Sequence, residues 1–146
     1  MKRKSIIGVL FGLLALCIMN SNVNAQSVDS QVNPRLYIIT QSNSTCTMCT
    51  DNMTRWNSEV VSKYSTDPGV VFINYDMTDD ASILKTRGDL DKYGIYDSMT
   101  GYNTPGSVIY VDPVTKKVVH SSSIDASSQD FWNSISTYSA SPTPTK

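Results

Sequence analysis

Two thiols stand three positions apart in Cys46-Thr47-Met48-Cys49. Side chains of that type at that spacing can trade bonds with another disulfide, and they can also serve as half of a zinc site. With Met48 or Met53 they offer soft ligands that suit copper better than zinc. A passive local bridge is the remaining reading. A full zinc site needs more donors, and beyond these cysteines the mature chain offers His120 and carboxylates but no second cysteine pair. The loop such a bridge closes is too short to restrict the unfolded chain much, so stability is the weaker explanation. Redox exchange is the reading that remains when further zinc donors and a stabilising bridge are set aside, with copper handling as its alternative. It requires one of the two sulfurs to ionise, because a thiol attacks as its thiolate and a free cysteine ionises only near about pH 8.5.

The surrounding elements supply that help. Leu36-Tyr37-Ile38-Ile39-Thr40 is a β-branched and aromatic run within a strand predicted over residues 35–40, and Gln41 to Thr45 is a polar turn. Cys49, Met53, Trp56, Val60 and Tyr64 then recur at helical spacing, so a helix is expected from about Cys46 to Tyr64, where Asp67-Pro68-Gly69 stops it. Cys46 falls at the positive, N–H-rich end of that helix, facing solvent. Cys49 falls one turn further on and more buried. Cys46 is therefore the candidate nucleophile and Cys49 the resolving thiol.

Further along, Val70 to Tyr75 is a second strand, and Thr78 to Tyr93 a helix with Asp79 and Asp80 favourable at its start and Gly88 a weak point. Tyr96 to Gly106 is an irregular loop, whose Met99 and Tyr102 are candidate substrate contacts or apolar side chains folded inward. Ser107 to Val111 and Lys117 to Ser121 pair as a hairpin across Asp112-Pro113-Val114-Thr115, and Phe131, Ile135 and Tyr138 mark a last helix. Trp56 and Trp132 are expected in the core and His120 at the surface. The alternation implies a βαβ crossover and an α/β sandwich, a sheet with helices on its faces.

The ends carry separate signals. Met1-Lys2-Arg3-Lys4, the apolar run from Ile6 to Met19 and Val23-Asn24-Ala25 form the three parts of a secretory signal, so residues 1–25 are expected to be removed. The third cysteine, Cys17, lies inside it. Residues 26–34 read as a polar arm, 35–140 as one domain and 141–146, with two prolines, as a disordered tail. The expected compartment is the periplasm or the exterior, where disulfides persist. Three basic residues leave with the signal, and no basic cluster remains, which argues against a nucleic-acid partner. The expectation is a monomer with no membrane span after signal removal.

Strand, Cys-x-x-Cys at a helix start, strand, Lys92-Tyr93-Gly94-Ile95, Thr104-Pro105, Val108-Ile109-Tyr110-Val111 and a hairpin together resemble the thioredoxin superfamily, over roughly Arg35 to Tyr138. The resemblance implies a thioredoxin-like central mixed β-sheet flanked by helices and an exported thiol–disulfide oxidoreductase. Its partners would be protein thiols or disulfides and a redox protein, with no bound cofactor or metal. It also implies that Pro105 is cis and packs beside the dithiol, with Thr104 and Pro105 forming the substrate-side platform. Three departures stand out. Thr45 replaces the usual Trp before the first cysteine, and Thr47-Met48 replaces Gly-Pro. Thr40 falls where a buried acid usually assists proton transfer, and a hydroxyl is no base near neutral pH. Water or Asp51 would have to substitute, and Asp51 would oppose thiolate formation.

Overall fold

A central strand, β1 (Leu36–Ser42), is buried along all but its last residue. The computed structural model describes residues 33–140, so the expected signal segment 1–25, most of the expected arm and the expected tail 141–146 lie outside the described residues. β1 pairs in parallel with β2 (Val70–Asp76), from Leu36 opposite Val70 to Ser42 opposite Asp76. On its other side it pairs antiparallel with β3 (Ser107–Val111), and β3 pairs antiparallel with β4 (Val118–Ser123), giving the order β2-β1-β3-β4. A strand buried on both faces needs apolar residues at successive positions, which is why Leu36 to Ile39 does not alternate with polar ones.

Side chains leave a strand alternately to its two faces, so β1 feeds two cores. Leu36 and Ile38 point with Val70, Val108 and Tyr110 toward α1 (Thr47–Arg55) and α3 (Ser128–Ser139), meeting Trp56, Val60, Phe131 and Ile135. Tyr37 and Ile39 point with Ile73, Tyr75, Ile109 and Val111 to the opposite face, meeting Leu90 of α2 (Asp80–Lys92), Ile95 and Met99. Each fully buried aliphatic side chain contributes about 1.5–3 kcal/mol of transfer free energy. Trp56 adds edge-on contacts with Phe131 at 4.8 Å and Phe72 at 5.9 Å between ring centroids.

The helix predicted from Cys46 to Tyr64 is present but changes pitch. α1 gives way to a π-helical turn over Trp56–Val61 and a 3₁₀ turn over Ser62–Tyr64, with Trp56 and Val60 both buried. Beyond it, both carboxylate oxygens of Asp67 accept from Arg35 Nη2, at 2.7 and 2.9 Å, and the Gly69 carbonyl accepts the Arg35 and Leu36 N–H groups. The starts of β1 and β2 are thereby joined. α2 is capped by the Asp79 side chain, which accepts the Ser82 N–H at 2.7 Å, and it runs through Gly88 unbroken. It ends at Gly94, whose φ of +63° suits a residue without Cβ, while Ile95 N–H bonds back to the Leu90 carbonyl.

Two packing expectations change. Trp132 is half-buried at the surface, with its indole N–H donating to the Glu59 carbonyl and Lys63 Nζ 3.5 Å from its ring centroid. An indole needs a partner for its N–H, and the helix edge supplies one that the core does not. His120 is half-buried, stacked on Tyr138 at 5.2 Å.

Candidate redox site

The end of β1 and the start of α1 are joined across residues 43–46 by a turn that bonds itself shut. Cys46 N–H donates to the Asn43 carbonyl at 3.0 Å, and the Asn43 Oδ1 accepts the N–H and hydroxyl of Thr45 at 2.8 and 2.7 Å. The Asn43 amide and Ser44 N–H reach across to Met77 and Thr78 after β2, both at 2.9 Å. This places Cys46 as the N-cap of α1, with extended backbone (φ −84°, ψ 97°). Its Sγ accepts the Cys49 N–H at 3.1 Å, taking the part that a Ser or Asp oxygen plays at other helix starts. No acidic side chain lies in the first turn of α1, and Asp51 is exposed.

Cys46 and Cys49 form a disulfide with Cα atoms 5.2 Å apart. The two sulfurs have unequal surroundings. Cys46 is half-exposed, whereas Cys49 is 2% exposed, with its Sγ 3.9 Å from the Gln41 carbonyl oxygen. Of the two sulfurs, solvent reaches that of Cys46 more readily than that of Cys49.

The loop before β3 closes the inner side of the site, and here the structure corrects an expectation. There is no cis peptide bond among the described residues, so the Thr104–Pro105 bond is trans. Pro105-Gly106 forms the centre of a turn in which Ser107 N–H donates to the Thr104 carbonyl at 3.1 Å and Gly106 has φ of +89°. That is type II chemistry: proline at the second position and glycine, with positive φ, at the third. A cis proline would have to occupy the third position of its turn. The residue that meets the dithiol is Gly106. A Cβ there would lie 2.3 Å from Met48 Cε and 3.7 Å from Cys49 Sγ.

Gln41 ties this loop to β1. Its carboxamide N–H donates to the Tyr102 carbonyl, its Oε1 accepts the Thr104 N–H at 3.2 Å, and its backbone carbonyl accepts the Gly106 N–H at 2.7 Å. The Thr104 N–H is thus engaged within the chain. Met99 is 3% exposed in the second core, so of the two candidate loop contacts only Tyr102 retains exposure, and it is half-buried.

At the place of the missing acid, Thr40 is 5% exposed and its hydroxyl lies 3.3 Å from Asn74 Oδ1 and 3.4 Å from the Ile73 carbonyl. A cavity of about 530 Å³ between α1 and the β1–β2 edge is lined by Thr40, Asn74, Cys49 and Asp76. Asp76 is the carboxylate that shares this cavity with Cys49. Sequence reasoning passed over Gln41, Gly106 and Asp76. Of the three only Gly106 carried a local signal, the Pro-Gly turn pair.

Among the described residues there is no group of three or more His, Cys, Asp or Glu side chains that could hold a metal ion, and no helix long and apolar enough to cross a membrane. The strand order, the helices on both faces and a Cys-x-x-Cys disulfide capping the helix after the central strand define a thioredoxin-like fold with a redox-type cysteine pair. Comparison with solved structures gives similarity to the crystal structure of Trxlp from Edwardsiella tarda EIB202, at 9% identity and a TM-score of 0.44, over 71% of this chain and 84% of that one. No family model and no curated protein matches the sequence.

Proposed function

We propose that this chain is an exported thiol–disulfide oxidoreductase that exchanges disulfides with protein substrates through Cys46 and Cys49. The observation that carries the reading is the asymmetry of the pair: a half-exposed sulfur capping a helix and receiving an N–H, beside a buried one. Helix N–H groups favour the negative form of a sulfur placed there.

In the reducing direction, the Cys46 thiolate attacks one sulfur of a substrate disulfide. A Cys46–substrate disulfide forms, the substrate S–S bond breaks, and the first substrate sulfur leaves as a thiolate that takes a proton from solvent. Cys49 then gives up its proton toward the adjoining cavity and attacks Cys46 Sγ. The intramolecular disulfide forms and the second substrate thiolate leaves. Two electrons pass to the substrate, and a dithiol protein in the same compartment returns the pair to its reduced state. The reverse sequence oxidises a substrate. Loop residues Thr104 and Pro105 flank the site and form its substrate side, through the Thr104 side chain and the face of the type II turn, since the Thr104 N–H is already bonded to Gln41.

Insulin reduction by dithiothreitol tests this. Wild type should accelerate precipitation of the insulin B chain, and Cys46→Ser should remove the acceleration. Equal rates with the two proteins would sink the proposal.

A further inference from the structure

We propose that Gln41 is the positioning residue of the resolving thiol, setting where Cys49 sits relative to the Gln41 carbonyl and the Gly106 backbone. This inference rests on the exchange reading above.

Gln41 is 1% exposed, on the face of β1 that otherwise carries Tyr37 and Ile39 into the second core. An apolar side chain would be easier to bury there, because a carboxamide removed from water must recover its hydrogen bonds. It recovers them on one target: its N–H on the Tyr102 carbonyl and its Oε1 on the Thr104 N–H. The same residue's backbone carbonyl accepts Gly106 N–H at 2.7 Å and lies 3.9 Å from Cys49 Sγ. One residue therefore holds the loop at three points and also presents the oxygen that faces the buried sulfur.

The chemistry follows from the reduced state. A carbonyl oxygen has two lone pairs, and one already takes the Gly106 N–H. The other is directed to Cys49, where it can accept the S–H. That bond favours the protonated form of the resolving thiol and leaves the first attack to Cys46. Once the mixed disulfide forms, Cys49 must lie in line with Cys46 Sγ to displace the substrate. A loop released at Tyr102 and Thr104 leaves Gly106 held by its two backbone bonds alone, so one wall of the Cys49 site is less firmly placed. The first chemical step uses Cys46 and is indifferent to Gln41, whereas the second depends on it.

The two steps separate with 5,5′-dithiobis(2-nitrobenzoate) as the disulfide. Attack by Cys46 releases one thionitrobenzoate and leaves a mixed disulfide, and attack by Cys49 releases the second. In Gln41→Leu the first release should stay within twofold of wild type, while the second slows tenfold or more. Gln41→Glu provides the readout that simple loss of packing would not move. A protonated carboxyl can donate to Tyr102 and accept from Thr104 as the carboxamide does, and an ionised one cannot donate. Its second-step rate, as a ratio to wild type at the same pH, should approach one near pH 5 and fall as pH rises. A second step within twofold of wild type in Gln41→Leu, or equal slowing of both steps, overturns the proposal. If Gln41→Leu does not fold, a pH-independent Gln41→Glu ratio overturns it. Wild type that forms no mixed disulfide with this reagent overturns the exchange reading itself, and this inference with it.

Discussion

Replacing Gly106 by alanine puts a methyl group at the closest approach between loop and dithiol. Gly106 has φ of +89°, and its N–H and carbonyl are each held at 2.7 Å, by Gln41 and Ile124. Bonded on both sides, the backbone cannot rotate to a conformation that alanine prefers, and a Cβ in the left-handed region costs about 1–2 kcal/mol. The methyl would also lie 2.3 Å from Met48 Cε, although at an ordinary 3.7 Å from Cys49 Sγ and Ile124 Cγ2. Met48 ends in a flexible chain that can turn away, at a cost of about 0.5–1.5 kcal/mol for a displaced rotamer. The expected loss of stability is therefore about 2–3 kcal/mol, most of it backbone. Urea unfolding of the oxidised protein reads this as a lower midpoint at unchanged slope. In a Met48→Ala background the loss should shrink only to the backbone part, about 1–2 kcal/mol. A loss below about 0.5 kcal/mol in wild type, or one that vanishes once Met48 is shortened, would refute the backbone argument.

Tyr110 is fully buried, its hydroxyl makes no well-formed hydrogen bond among the described residues, and burial, partly offset by the nearby Ser122 and Ser134 hydroxyls, pushes its pKa up to about 12. Because the folded value is raised above the ordinary 10, its contribution to stability is complete below pH 10 and is lost as pH rises toward 12. Tyr110→Phe should remove that alkaline slope and, at neutral pH, cost nothing or stabilise by up to about 1 kcal/mol, as equilibrium unfolding at pH 7 and pH 11 would show. At the hairpin turn, Asp112 accepts the Thr115 N–H and hydroxyl and the Val114 N–H, and the Thr115 N–H leads in holding its carboxyl below the usual range. A depressed folded value means the stability is present above about pH 4 and is lost as pH falls through that lower value. Asp112→Ala should cost about 1 kcal/mol at neutral pH in this solvent-facing turn and flatten the acid limb of the unfolding profile.

The dithiol and the elements around it were legible because their signals are local. A β-branched run, a polar turn and helical spacing from Cys49 to Val60 specify strand, turn and helix within about 25 residues of chain, and the structure places Cys46 as the cap. What could not be read were contacts made across the fold. Gln41 bonds to Tyr102 and Thr104, 61 and 63 positions away, and nothing near Gln41 in sequence announces them. The same holds for Asp76, which shares a cavity with Cys49 only because β2 lies beside β1 in register. Pro105 is the instructive failure. The resemblance implied a cis bond, whereas the neighbouring Gly106 carried the local turn signal that prevails in the structure. Met99 likewise offered an apolar side chain in a loop, and the fold had a second core to receive it.

The proposed exchange depends on the inequality of two sulfurs in one short motif. Alkylation of the fully reduced protein with iodoacetamide at pH 7, resolved for each cysteine by mass spectrometry, measures that inequality directly. Cys46 should react faster than a cysteine in a flexible peptide and at least about tenfold faster than Cys49, as expected for a thiolate at a helix start beside a buried thiol. Cys46 reacting no faster than the peptide, or both positions reacting alike, would contradict it.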